Sequence, residues 1–449
     1  MSDPATTTEP DGAPRIAVLD ILRGVAILGI LFMNFNDMGR SLWASSDDIR
    51  SLGWDAADRT IWFLREVLAN GTARGMLEML FGAGMVILTD KAMTTASFQK
   101  VMARYYWRNL ILLLFGLVHL FVLLWPGDIL HTYALAAMIA FLFSRLRAQD
   151  LFMFGLSLAA FTLVTGTSNY LGEAQYRADL TVVQAKQQSG AALGKEDRTL
   201  LAADADYRKR VIAADAAAKA RIADEDRSRR GDSASWIMAQ WRVALARETD
   251  PAAIGAIWEA AATMLIGAGL FRLGIVQGLR SRRFYWRLTL LAYAIGVTLR
   301  TTGAIETMHF DDAPKIGFAI GEVARLAMTL GHVGAVNLLL TTAFGARLLK
   351  PLAAAGRTAL TLYILQSLIG LWLIFPPFAL GLYGTLSWAP LMGMALVIDV
   401  LLLLAANLYL RYFDIAPVEW TWRSLVEGRA LPWRKRAGVR REVGASRAA

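Results

Sequence analysis

Apolar blocks long enough to cross a lipid bilayer recur along this 449-residue chain, and nothing else constrains its fold as strongly. A crossing helix needs roughly 20 mostly apolar residues. Inside lipid, every backbone N–H and C=O must be satisfied within the chain, which leaves helices or closed barrels. Blocks of this length suit helices, so the expected fold is all-α: a polytopic membrane bundle of about ten transmembrane helices. The first block, residues 15–34, is the most informative, because it also carries Asp20, Arg23 and Asn34. At about 100° per residue these three fall near one helix face. Charges within a span are costly and usually face the bundle interior, paired or solvated. Asp20 and Arg23 therefore suit either a structural pair that snorkels to the headgroups or the start of a polar stripe lining a site. Asn34 extends that stripe to the far end of the helix.

Composition supports the membrane reading. The chain is 56% hydrophobic and 19% charged, against about 45–50% and about 25% for an ordinary soluble domain. Residues 1–14 are polar, and the first block is too long and lacks a small-residue cleavage site, so no cleavable signal peptide is expected. The absence of cysteine excludes disulfides, thiolate catalysis and cysteine metal sites. Four histidines without ligand spacing give no metal site. The net charge of +10 does not point to nucleic acid, because the basic residues cluster in short loops, where membrane topology explains them first.

In chain order the spans are expected at about 16–36, 74–90, 109–125, 129–144, 150–170, 252–278, 288–304, 315–344, 358–375 and 389–410. Residues 61–73 read as an amphipathic approach helix broken at Asn70-Gly71. Residues 172–250 are Ala-rich and charged without an apolar run, which suits a soluble helical insert. The organisation is then a transmembrane half over 1–171, the insert over 172–250, a second transmembrane half over 251–425 and a basic tail over 426–449. Loops 91–108, 145–147, 280–287 and 347–357 and the tail are basic, and the intervening ones are acidic or neutral. The positive-inside rule then places both termini in the cytoplasm of a bacterial inner membrane and the insert outside.

Several polar groups within the spans are candidates for chemistry. Gly116-Leu-Val-His119 precedes the turn Trp125-Pro-Gly-Asp128. A histidine titrates near neutrality and suits a general base, with Asp128 to orient it if the chain folds back there. A hydrogen-bonded core histidine is the plainer reading. Arg74 and Glu78 are four apart on one helix face, as a structural pair or as part of the cavity of Asp20 and Arg23. Gly356-Arg-Thr-Ala-Leu-Thr-Leu-Tyr-Ile-Leu-Gln-Ser367 puts Arg357, Thr361, Tyr363, Gln366 and Ser367 on one span, which must pack inward. Arg357 near the cytoplasmic end suits a phosphate or a carboxylate. Pro417-Val-Glu-Trp-Thr-Trp-Arg423 suits an interfacial anchor. His131 reads as peripheral, His309 as part of a solvated loop, and His332 as a core residue.

These stretches resemble the YeiB-like bacterial membrane proteins, a family defined by a domain of unknown function. The resemblance rests on R-I-x-x-L-D-x-L-R-G-x-A-I-L-G-I-L-x-x-N from Arg15, Arg74 ahead of Leu-Phe-Gly-Ala-Gly84, and His119 before Gly-Asp-Ile-Leu130 and Tyr133. It continues in the Gly356–Ser367 and Pro417–Arg423 stretches, with Leu362 and Ala416 departing from the common Asn and Gly. That family is distantly similar to transmembrane acyltransferases such as heparan-alpha-glucosaminide N-acetyltransferase, whose first span also has D-x-x-R-G. The resemblance implies an integral-membrane acyltransferase with acyl-CoA as co-substrate, no tightly bound cofactor, and an envelope glycan or lipid as acceptor. His119 and Asp128 would be catalytic. Asp20, Arg23, Asn34, Arg74, Arg357, Tyr363 and Gln366 would bind donor or substrate. Those acyltransferases carry their histidine after the first span, where residues 35–73 here have none. Either His119 has taken the role, or the fold is shared and the chemistry is not. The alternative is a transporter or lipid-binding protein with an intramembrane polar pathway. Membrane lipids are the expected surroundings, and a homodimer is compatible with the small-residue helix faces.

Overall fold

The apolar blocks become helices packed side by side, and in the computed structural model residues 7–8, 14–15, 17–44 and 48–435 are described. Arg436, Arg440 and Arg441 of the basic tail lie outside them. Apart from a two-residue antiparallel pairing of Thr7–Thr8 with Pro14–Arg15, the named elements are helical. Helix α1 is Ala17–Gly39, α2 Ala56–Leu68, α3 Thr72–Thr89, α4 Phe98–Phe121 and α5 Leu130–Phe141. Helices α6 (Ala148–Gln188), α7 (Lys195–Arg229) and α8 (Ser233–Glu248) carry the insert, and α9 is Ala252–Arg272. Then come α10 (Arg282–Met308), α11 (Gly317–Leu340), α12 (Ala343–Leu349), α13 (Leu352–Arg357) and α14 (Ala359–Leu368), which runs on as a π turn over Ile369–Ile374. Helices α15 (Trp388–Tyr412) and α16 (Pro417–Glu427) complete the fold.

Eight of these helical stretches are long and apolar enough to cross a membrane: α1, α2 with α3, α4, α6, α9, α10, α11 and α15. The chain is therefore an all-α membrane bundle. Two shorter apolar helices, α5 and α14, stand where the fourth and ninth spans were expected, so ten is reached only by counting them. The third span begins at Phe98 rather than near 109, and Lys100, Arg104 and Arg108 ride on it instead of a loop. Long basic side chains reach out from a helix end to water, so basic residues alone do not mark the helix start. The approach helix ends at Leu68, and the break at Gly71 is real, with φ of +69. The eighth span stops at Leu340.

Helix α6 has 41 residues. At 1.5 Å per residue it is about 60 Å long, about twice the hydrocarbon thickness of roughly 30 Å. The fifth span and the insert are thus one rod, unbroken at residue 171, and α7 and α8 fold back from it. The insert rests on the polar loops of the bundle. Trp241 Nε1 donates to the Phe121 carbonyl at 2.7 Å, and Tyr383 Oη donates to Asp226 at 2.7 Å. Glu225 accepts from the Leu42 N–H at 3.3 Å. At the opposite end, Arg272 pairs with Asp90 at 2.6 Å and Arg104 with Glu427 at 3.1 Å.

Small residues set the closest approaches within the bundle. A Cβ on Gly356 would lie 1.8 Å from the Asp20 carbonyl, and one on Gly24 2.0 Å from that of Leu352. Helices α1 and α13 therefore meet backbone to backbone, which joins the first and third sequence motifs. Helix α3 meets α9 in the same way, with Gly82 against the Met264 carbonyl at 1.8 Å.

Candidate functional site

Four of the motif stretches converge on one cavity of about 300 Å³ among α1, α3, α4, α5, α13, α14 and α16. Apolar residues of α3 such as Leu77, Leu80 and Leu88 make one wall. Asp20 and Arg23 line it from α1, Arg357 from the end of α13 and Tyr363 from α14. Arg23 Nη1 donates to Asp20 Oδ1 at 3.2 Å, and Arg357 Nη2 donates to the Asp414 carbonyl at 3.2 Å. The cavity also takes Arg108, Glu419, Trp422 and Arg423. Arg108 stacks on Trp422 at 4.0 Å. The Pro417–Arg423 stretch is therefore more than an interfacial anchor. Glu419 accepts from the Leu360 and Thr361 N–H groups at 2.7 and 3.1 Å, so it caps α14 where the helix restarts after Thr358. Burial pushes the Glu419 carboxyl above its ordinary value, against those hydrogen bonds. Four arginines and two carboxylates thus surround an otherwise apolar space.

Tyr363 closes the other end. Its hydroxyl accepts from the Ile129 N–H at 3.1 Å and lies 3.4 Å from Asp128 Oδ1. The Tyr363 ring stands edge-on to His119, with centroids 4.8 Å apart. Behind it, His119 Nδ1 is 2.6 Å from Asp128 Oδ1, and both side chains are fully buried. The turn does fold back. The close approach of α4 and α5 requires Gly116, where a Cβ would lie 2.3 Å from the His131 nitrogen. His131 is not peripheral: its Nδ1 is 2.8 Å from Asp128 Oδ2, and its backbone N–H donates to the same oxygen at 3.0 Å. An ionised carboxylate can only accept, so both imidazoles donate through Nδ1. His119 Nε2 is buried without a hydrogen-bond partner among the described residues. The ring is thus held at Nδ1 by a carboxylate and has its other nitrogen open.

The remaining expected site residues lie elsewhere. Asn34 is half-buried and does not line the cavity, which reaches only Ile27 along α1. Arg74 belongs to a separate ion network with Glu78 (3.5 Å) and Glu259. Arg325 completes that network, with Glu78 at 2.9 Å, Glu322 at 2.7 Å and Glu259 at 3.2 Å. Gln366 Nε2 donates to the Ile27 carbonyl at 3.1 Å and to Asp399 at 3.2 Å, tying three helices together. His332 is a packing residue, as expected, between Tyr293 Oη (2.9 Å) and the Leu68 carbonyl (3.0 Å). His309 is exposed. No group of three metal-ligating side chains occurs among the described residues. Sequence reasoning missed Arg108, Glu419 and Arg423 as lining residues. Their basic and aromatic spacing was visible, but it read as loop and interface.

Comparison with known proteins finds relatives along most of the chain. Residues 270–429 match a family model described as a protein of unknown function (DUF418). The uncharacterized protein YeiB of Escherichia coli (strain K12) is 27% identical over 426 residues, covering 93% of this chain and 98% of the relative. The uncharacterized protein YxaH of Bacillus subtilis (strain 168) is 25% identical over 443 residues, covering 91% and 94%. No solved structure matches. The matched region holds Arg357, Tyr363, Glu419 and Arg423, while His119 and Asp128 lie in the part shared with the full-length relatives. The chain is a multi-pass membrane protein similar over nearly its full length to YeiB and YxaH, with a DUF418 match over residues 270–429.

Proposed function

We propose that the protein is an integral-membrane acyltransferase. It would take an acyl group from an acyl-CoA-like donor on the cytoplasmic side and pass it to an envelope glycan or lipid. The observation that carries this reading is the meeting of an arginine-lined cavity with a buried His119–Asp128 pair whose Nε2 is open. Arg23, Arg108, Arg357 and Arg423 suit the phosphates of the donor, and the apolar wall of α3 suits an acyl chain. Tyr363 separates the cavity from His119, so it must swing aside for reaction. His119 Nε2 then takes the proton of the acceptor hydroxyl or amine as that atom attacks the thioester carbonyl. The tetrahedral intermediate collapses with cleavage of the C–S bond, and the imidazolium returns the proton to the departing thiolate. Asp128 holds the imidazole in the required tautomer and offsets its charge. By the positive-inside rule the basic end is cytoplasmic, which places both termini inside and the insert outside a bacterial inner membrane.

The test uses the full chain in detergent. A ligand that binds only the folded state raises its apparent stability by mass action. Acetyl-CoA or a longer acyl-CoA should raise the unfolding midpoint in a dose-dependent way, less so in Arg23→Ala, and CoA release with an acceptor should vanish in His119→Ala. No rise with any acyl-CoA would overturn the reading and turn attention to a transported or bound lipid.

A further inference from the structure

We propose that Glu248, at the end of the insert, is a positioning residue for His119. It would hold His131 as the imidazolium between two carboxylates, so that Asp128 stays fixed against His119 Nδ1 with Nε2 open. The inference rests on the reading of His119 as a base, but it concerns a part of the chain the reaction scheme does not use. Helix α5 has only 12 residues, about 18 Å at 1.5 Å per residue, well short of the roughly 30 Å hydrocarbon core. The turn carrying Asp128 is therefore sunk in the bundle, where Trp125, Asp128 and Leu130 are all buried. Helix α8 of the insert stands over the gap. Trp241 holds its middle to the end of α4 at the Phe121 carbonyl, and Glu248, its last residue, reaches down to His131.

Glu248 Oε2 lies 3.3 Å from His131 Nε2, while His131 Nδ1 faces Asp128 at 2.8 Å. The Thr132 hydroxyl also faces Nε2, at 3.2 Å. His131 thus sits between two carboxylates, one from the bundle and one from the insert. A neutral imidazole has one N–H and can donate to only one of them; the imidazolium donates to both. An opposite charge within about 4–6 Å favours the charged form, and here there are two. Asp128 in turn faces His119, His131 and Tyr363. With His131 cationic, Asp128 remains an acceptor toward His119 and fixes its Nδ1–H tautomer. Without Glu248, His131 would tend to lose its proton and its hold on Asp128, and the carboxylate would no longer be fixed against His119 Nδ1. The insert would then arm the base by docking.

The decisive experiment is ¹⁵N-histidine NMR of the full chain in detergent micelles across pH. His119→Gln, His131→Gln, His309→Gln and His332→Gln assign the four histidines. In the wild type His131 should carry protons on both nitrogens at pH 7, and the His119 Nδ1 signal should show a hydrogen bond to Asp128. In Glu248→Gln the His131 midpoint should fall by about one pH unit or more, the His119 Nδ1 signal should move, and Glu248→Asp should restore both. A His131 that is neutral at pH 7 in the wild type, or whose midpoint does not move in Glu248→Gln, overturns the proposal. Matching thermal unfolding of Glu248→Gln and wild type confirms that the insert stays docked. Activity plays no part in this readout, so failure of the acyltransferase reading would leave it intact.

Discussion

The Arg325 network and the His119 cluster are both buried in the bundle, but they follow opposite rules. In the first, Arg325 spends its nitrogens on Glu78, Glu259, Glu322 and Thr263, and Arg74 adds to Glu78 and Glu259. The charges of opposite sign face one another, Arg325 does not line the cavity beside Tyr363, and α3, α9 and α11 are locked together. In the second, the valences do not close. His119 Nε2 faces no partner, and a cavity begins on the other side of Tyr363. A polar residue in a span is therefore not in itself a site. What separates structure from chemistry is leftover hydrogen-bonding capacity beside a space that a ligand can enter.

Substitutions can break this contrast. The largest stability effect is expected from Arg325→Ala, which leaves Glu78 and its neighbours as uncompensated buried charge. A loss of about 3–5 kcal/mol, read by thermal unfolding in detergent, would confirm a structural network, whereas a fully folded variant with altered ligand response would make it a second site. His119→Ala should do the reverse. Its unfolding midpoint should move far less than that of Arg325→Ala, while acyl transfer falls by about 10²–10⁴-fold, the usual worth of a general base.

The next effect tests packing. Gly82→Ala puts a methyl on the Met264 carbonyl and should cost about 1–3 kcal/mol, read in the same unfolding assay, without selective loss of ligand binding. Arg423→Ala is expected to leave the ligand-free midpoint nearly unchanged and to shrink the rise produced by acyl-CoA. The smallest effect belongs to Glu419. A raised folded value means the native state holds that proton more tightly than the unfolded chain, so its contribution favours folding as pH falls toward the ordinary carboxylate range and is lost as pH rises. Unfolding midpoints followed through this range should show a slope that Glu419→Gln removes.

The contrast also explains what the sequence could convey. Helical crossings were legible because apolar blocks of that length have few other uses. The His119–Asp128 pair was legible because the partners stand nine positions apart across a Pro-Gly turn. Asp20, Arg23, Arg357 and Tyr363 were legible as inward-facing groups, but not which of their polar neighbours would join them. Arg325 and Glu78 are 247 positions apart, and no local pattern announces such a pairing, so Arg74 read equally well as a cavity residue. The same limit hid Glu248, which lies in a charged segment that resembles a solvated surface. Asn34 misled because periodicity gives the face of a helix but not how far a cavity runs along it.

The short helix α5 has one more consequence, for electrical work. A crossing that stops partway brings the buried histidines near the insert-side water, so voltage across the membrane does not fall evenly along this path. One elementary charge moved through the full potential exchanges about 2.3 kcal/mol per 100 mV. On the proposed reading His119 takes the acceptor's proton and returns it to the thiolate, so only neutral groups enter and leave. No charge then crosses the field in a turnover, and acyl transfer should run at similar rates in energised and de-energised cells.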